Sequence, residues 1–181
     1  MNKDNFIKEL SLLAPSIDEL YRFGTPEALF DEIIKGYLCT PKSNPSPRII
    51  TSDEILSMLQ CYDCFRIIIG NLSFLKDPIE MTDYYQIGVV ELDVLVIDKV
   101  TLEIEVRDCD ALKHTIWSCA ANSSRFLDAL LVCSKYLRLL LNQSFFDPNG
   151  TQLLNAIKQC VDISGGEKYR NFYEMLLGYF G

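Results

Sequence analysis

Between Tyr84 and Leu141 the apolar positions change period twice, from near-continuous to alternating and then to helical spacing. Tyr84-Tyr85-Gln86-Ile87-Gly88-Val89-Val90 leads through Glu91 into Leu92-Asp93-Val94-Leu95-Val96-Ile97-Asp98. This run is dominated by β-branched and aromatic residues that suit a pleated, largely buried surface, and it predicts two strands, or one broken near Gly88. After the polar Asp98-Lys99 step, Thr101 to Arg107 alternates strictly, setting Leu102, Ile104 and Val106 on one face and Glu103, Glu105 and Arg107 on the other. The short connection predicts an antiparallel hairpin with one side against helices and one facing water. Asn122 then suits a helix N-cap, because its side-chain oxygen can accept from a backbone N–H two or three residues later. Phe126, Leu127, Leu130, Leu131, Leu137 and Leu141 follow at three- and four-residue spacing, the stripe of an amphipathic helix.

Weaker patterns flank this segment. Asn5 to Leu13 and Ile17 to Tyr21 read as short helices divided by Pro15, and Pro26 suits the first turn of a helix from Glu27 to Lys35. Residues 40–47 hold Pro41, Pro45 and Pro47 and read as a loop, expected to be a mobile insert. Ser52 is expected to cap a helix from Asp53 to Cys61, Arg66 to Gly70 reads as a short buried strand, and Asn71 to Met81 reads as irregular, broken by Pro78. Asp147-Pro148-Asn149-Gly150 predicts a turn between helices. Leu153, Leu154, Ile157 and Val161 mark the next helix; after Gly165-Gly166, Tyr169, Phe172, Tyr173, Leu176, Leu177 and Phe180 mark the last. Its aromatic stripe reads as core, with a docking surface as the alternative. Together these elements predict an α+β fold in a single domain spanning residues 1–181, a central and mainly antiparallel sheet packed by N-terminal and C-terminal helices.

The order Tyr85-x-Ile87-Gly88, Val96-Ile97-Asp98, alternating strand, then Asn122-Ser123-Ser124-Arg125-Phe126-Leu127 resembles the central segment of the SUKH superfamily. In that family a strand ending in Ile-Gly precedes one ending near Asp, a turn, another strand, and a helix whose polar cap stands four residues before Phe-Leu. Upstream, Leu20-Tyr21-Arg22-Phe23-Gly24-Thr25-Pro26 is similar to the Gly-x-Pro element of its fourth subgroup, so the resemblance covers roughly residues 16 to 140. Lys99-Val100-Thr101 replaces the glycine-bearing turn usual in the family, and Ser123 stands where an apolar residue is usual. The resemblance implies a protein-binding domain without catalytic activity, and SUKH proteins include many bacterial immunity proteins. These neutralise a cognate toxin domain, often a nuclease or a nucleic-acid deaminase. The superfamily also serves as a scaffold or regulatory interaction module unrelated to toxins, which is the alternative reading.

Charge sharpens the choice of partner. With 25 acidic and 17 basic residues among 181, the chain has a formal net charge of −8, which argues against direct contact with nucleic acid or anionic membrane and favours a basic protein. A toxin that acts on nucleic acid needs such a basic surface. The expected contact face is therefore Glu103, Glu105 and Arg107, extended by Asp108 and Asp110. No run approaches the roughly 18 apolar residues of a membrane span, and the charged opening Met1 to Leu10 has no signal-peptide character, so a cytoplasmic location is expected.

Candidate chemistry is sparse. The single histidine, His114, restricts acid–base schemes, and no phosphate loop, nucleophile elbow or zinc-protease motif is present, so no enzyme and no cofactor are expected. The seven cysteines are odd in number and lack paired spacing, which predicts reduced thiols. Cys61-Tyr62-Asp63-Cys64 stands at metal or redox spacing, but no second pair completes a zinc site; two small apolar residues at a helix end is the other reading. The carboxylates of Asp108-Cys109-Asp110 and of the pair Glu103 and Glu105 offer oxygen ligands for a hard cation, against the reading of a solvated acidic strand face. No metal is expected.

Overall fold

The computed structural model describes residues 1–43, 52–142, 145 and 147–179. In chain order, α1 (Lys3–Ser11), α2 (Ile17–Arg22) and α3 (Phe30–Lys35) lead to β1 (Thr40–Pro41), then α4 (Glu54–Cys61) and β2 (Tyr62–Asp63). Six strands follow without a helix between them: β3 (Ile68–Ile69), β4 (Leu72–Glu80), β5 (Tyr84–Val90), β6 (Asp93–Asp98), β7 (Ile104–Arg107) and β8 (Thr115–Ala120). The chain closes with α5 (Ser123–Leu140), α6 (Thr151–Ser164) and α7 (Arg170–Leu177). Each of β3 to β8 pairs antiparallel with its neighbour in sequence, giving one curled six-stranded meander, while β1 and β2 form a separate two-stranded ribbon. The α+β architecture with helices flanking a central antiparallel sheet is thus present.

Alternation decides which sheet face meets the helices. Leu95, Ile97, Ile104 and Val106 are essentially inaccessible and join Phe126, Leu127, Leu130, Ile157, Phe172 and Tyr173 in a single core. Asn122 caps α5 as its sequence predicts, accepting from the Arg125 N–H at 3.0 Å. The α5 stripe is buried as far as Tyr136, whereas Leu141, just past the helix, is exposed. Tyr169, Phe172, Tyr173, Leu176 and Leu177 are all buried, so the C-terminal aromatic stripe is core; Phe180 lies outside the described residues. Tyr173 is satisfied there by the Ser164 hydroxyl at 2.6 Å and by donating to the Cys119 carbonyl at 2.9 Å.

Several elements depart from the sequence pattern. Asn71 to Met81 is not irregular but contains β4, the longest strand, whose register shifts between Phe74 and Ile79. Leu75 to Pro78 therefore bulge opposite Ile87, and the proline's missing N–H falls where no ladder bond is required. β8 is not legible between the alternating strand and α5, because two register shifts against β7 blur its inside–outside period. Leu102 does not join the inner face. The strand begins at Ile104, and Leu102 occupies a turn at φ 61°, 55% exposed. Asp98 organises that turn by accepting from the Val100 and Thr101 N–H groups, each at 2.8 Å.

The cap of α4 is Asp53 rather than Ser52, since its carboxylate accepts from both Ile55 and Leu56 N–H groups. Ile68 lies on an edge strand and is 67% exposed, so only Ile69 of that pair is buried. Thr40 and Pro41 form β1 rather than loop; of the expected mobile insert, residues 44–47 lie outside the described residues.

Candidate partner-binding surface

The five residues of the expected contact face fall into three environments. Glu105 and Arg107 project from the outer face of β7, opposite Val96 and Val94 of β6. Arg107 donates to Glu105 at 2.8 and 3.0 Å and to Asp98 at 2.8 Å, and its guanidinium lies 5.2 Å from the Tyr84 ring centroid. Thr115 of β8 adds a hydroxyl donor to Glu105 at 3.1 Å. Only 11% of the Arg107 side chain and 13% of Glu105 is exposed, and Val96 beneath them is fully buried. This part of the wet face is a closed ion-pair lattice that seals the sheet. The backbone N–H groups of Thr101 and Val100, with Arg107, hold the Asp98 carboxyl below the usual carboxylate range.

Glu103 is drawn elsewhere. Lying just before β7, it accepts from Lys168 at 2.6 and 2.8 Å and from the Tyr169 hydroxyl at 3.0 Å, tying the β6–β7 turn to the segment ahead of α7. Burial, with that hydrogen bond to Glu103, pushes the Tyr169 phenol up to about 12. Glu103 thus serves the fold at one end of β7, while Asp108 and Asp110 lie beyond its other end.

At that second end the meander gathers three connections: Gly70-Asn71, Glu91-Leu92 and residues 108–114. Asn71 donates to the Glu91 carboxylate at 2.8 Å, and the Cys109 N–H donates to Asp93 at 3.1 Å, which join the three into one surface. Asp108 accepts from the Asp110 and Ala111 N–H groups and so shapes the loop, leaving Asp110 exposed. Leu92, 84% exposed, stands between Glu91 and Asp93 in the chain, at the same end of the meander as Asp108, Asp110 and the exposed Leu112. Glu91 takes a left-handed φ of 56° at the tight β5–β6 turn, where it and Leu92 are both exposed. His114 is an exposed loop residue whose backbone carbonyl accepts from Asp108 N–H.

Among the described residues, one group of potential metal ligands comes together: Asp93, Asp108 and Cys109, whose ligand atoms lie within 4.8 Å of one another. Oxygens of both carboxylates already accept backbone N–H groups. Residual burial and the nearby carboxylates of Asp110, Asp93 and Asp108 push the Cys109 thiol up, away from the thiolate that a soft metal requires. The arrangement fits a hydrogen-bonded acidic loop. Glu103 and Glu105, engaged with cationic side chains, do not join it.

A concavity of about 590 Å³ opens beside β3, lined in part by Ile33, Tyr37, Phe65, Arg66, Ile68 and Leu141. The sequence pattern does not reveal it, because Ile67-Ile68-Ile69 is continuously apolar and gives no sign that Phe65 and Ile68 are exposed while Ile67 and Ile69 are buried. No helix among the described residues is long and apolar enough to cross a membrane. No family model, curated protein or solved structure matches the chain.

Proposed function

We propose that this chain is a non-catalytic protein-binding domain of SUKH type, an immunity protein that neutralises a toxin domain carrying a basic, nucleic-acid-directed surface. The observation that carries this reading is the acidic end of the meander, which presents the exposed Leu92 together with Glu91, Asp93, Asp108 and Asp110. A protruding apolar anchor within a charged rim suits a protein interface. The net charge of −8 adds long-range attraction toward a basic partner, raising the encounter rate. Of the face expected from sequence, the contact moves to Asp108 and Asp110 and extends to Glu91 and Leu92, while Glu105 and Arg107 hold the sheet face and Glu103 holds the opposite end of β7.

Co-expression with the toxin-like domain encoded beside this chain tests the reading, through rescue of growth and isolation of the complex. Leu92→Ala with Asp110→Lys is expected to weaken binding at least tenfold and to reduce its salt dependence, with thermal stability unchanged because both side chains are exposed. Full affinity in that double variant would remove this surface from the interface. Neither rescue nor complex would favour the scaffold reading, which draws on the groove beside β3.

A further inference from the structure

The register of the β1–β2 ribbon places two cysteines against each other. Thr40 lies opposite Asp63 and Pro41 opposite Tyr62, so one further antiparallel step sets Cys39 opposite Cys64. Lys42 N–H donates to the Cys61 carbonyl at 2.9 Å, which makes that pair a hydrogen-bonded one. Alternation then makes Pro41/Tyr62 and Cys39/Cys64 non-hydrogen-bonded positions, a parity that also accommodates the proline without losing a ladder bond. At such positions opposite α-carbons approach to about 4.5 Å, within the span that a disulfide bridges. The side chains meet accordingly: the Cys64 thiol points at the Cys39 sulfur with 3.0 Å between them.

Their neighbours along the chain are the walls of the groove. Glu32 to Tyr37, just ahead of Cys39, form one side, and Phe65 to Ile68, just after Cys64, form another. We propose that Cys39 and Cys64 are a reversible dithiol–disulfide site, and that closing it fixes these two walls relative to each other and sets the shape of the groove. The site stands apart from the surface assigned to toxin binding, so either can fail without the other.

The chemistry is asymmetric. Cys39 is half-buried and reachable, whereas Cys64 is fully buried. Its hydrogen bond to Cys39, together with burial, pushes the Cys64 thiol up, so Cys64 keeps its proton and is the second thiol to react. Cys39 thiolate attacks one oxygen of a peroxide; the O–O bond breaks, the departing hydroxide is protonated to water, and Cys39 becomes a sulfenic acid. The Cys64 sulfur then attacks the Cys39 sulfur, the S–O bond breaks, and the Cys64 proton leaves with the hydroxyl as a second water. Two thiols lose two electrons in total, and the peroxide gains them. Cys133 and Cys160 also approach, at 3.5 Å, but both lie fully buried between α5 and α6 and serve as an internal control for access.

The full chain, treated with hydrogen peroxide and digested without reduction, is expected to yield a Cys39–Cys64 linked peptide that dithiothreitol releases. Cys61→Ser should leave that peptide unchanged. Amide exchange across residues 32–38 and 65–69 should slow several-fold on oxidation of the parent chain and not of Cys39→Ser. A Cys39 that overoxidises without forming the link, a link made through Cys61 instead, or exchange rates indifferent to the link would each overturn the proposal.

Discussion

Gly88 of β5 lies against the backbone carbonyl of Ser73 on β4 so closely that a β-carbon there has no room, and Leu95 closes the other side. The contact sits beside the bulge by which β4 passes Pro78, where the two strands resume their pairing at Phe74 and Gly88. Because the obstructing atom is backbone, it cannot rotate away. Gly88→Ala is expected to lower stability by about 1–3 kcal/mol, the usual cost of overpacking, as measured by urea denaturation. An unchanged midpoint would mean that the two strands separate readily.

Leu102 presents the opposite case, a side chain where glycine is favoured. Its left-handed backbone costs roughly 1–2 kcal/mol for an L-residue, while glycine returns roughly 0.5–1 kcal/mol to the unfolded chain. Since Leu102 is 55% exposed, little packing is lost on its removal. Leu102→Gly is therefore expected to raise stability slightly, by about 0.5 kcal/mol, detectable as a higher urea midpoint.

Removing the guanidinium of Arg107 strands two carboxylates. Glu105 and Asp98 have only 13% and 17% of their side chains exposed, so neither is well hydrated without it. Arg107→Met should cost about 3 kcal/mol, toward the lower end of the effect of breaking a buried pair. Adding Glu105→Gln should recover part of the loss in a double-mutant cycle, which a simple packing defect would not permit.

Acid sensitivity follows from Asp98. Its carboxyl titrates lower in the folded chain than in the unfolded one, chiefly through the Thr101 N–H. The stabilisation is thus complete above the unfolded value of about 4 and is lost as pH falls through the lower folded value. Denaturation midpoints measured from about pH 6 down to about pH 2 should decline less steeply for Asp98→Asn than for the parent chain. Parallel curves would assign the acid sensitivity to other carboxylates.

Elements whose cause is local are legible in the amino-acid sequence alone. Two-residue alternation places Ile104 and Val106 inward, three- and four-residue spacing locates α5, and the side chain of Asn122 caps that helix from the start of its own first turn. Acidic character is legible too, because net charge is a sum over residues. Tertiary structure alone decides what those charges do. Glu103, Glu105 and Arg107 read as one solvent-facing row, yet Glu103 is bound by Lys168 and Tyr169, and Arg107 closes on Asp98, Glu105 and Tyr84. The Cys61-x-x-Cys64 spacing does not tell which thiols meet, since ribbon register brings Cys64 to Cys39 across 25 residues of sequence. Periodicity reports which face a residue takes relative to its neighbours in the chain; partners supplied by distant segments depend on register and strand order, which no local pattern encodes.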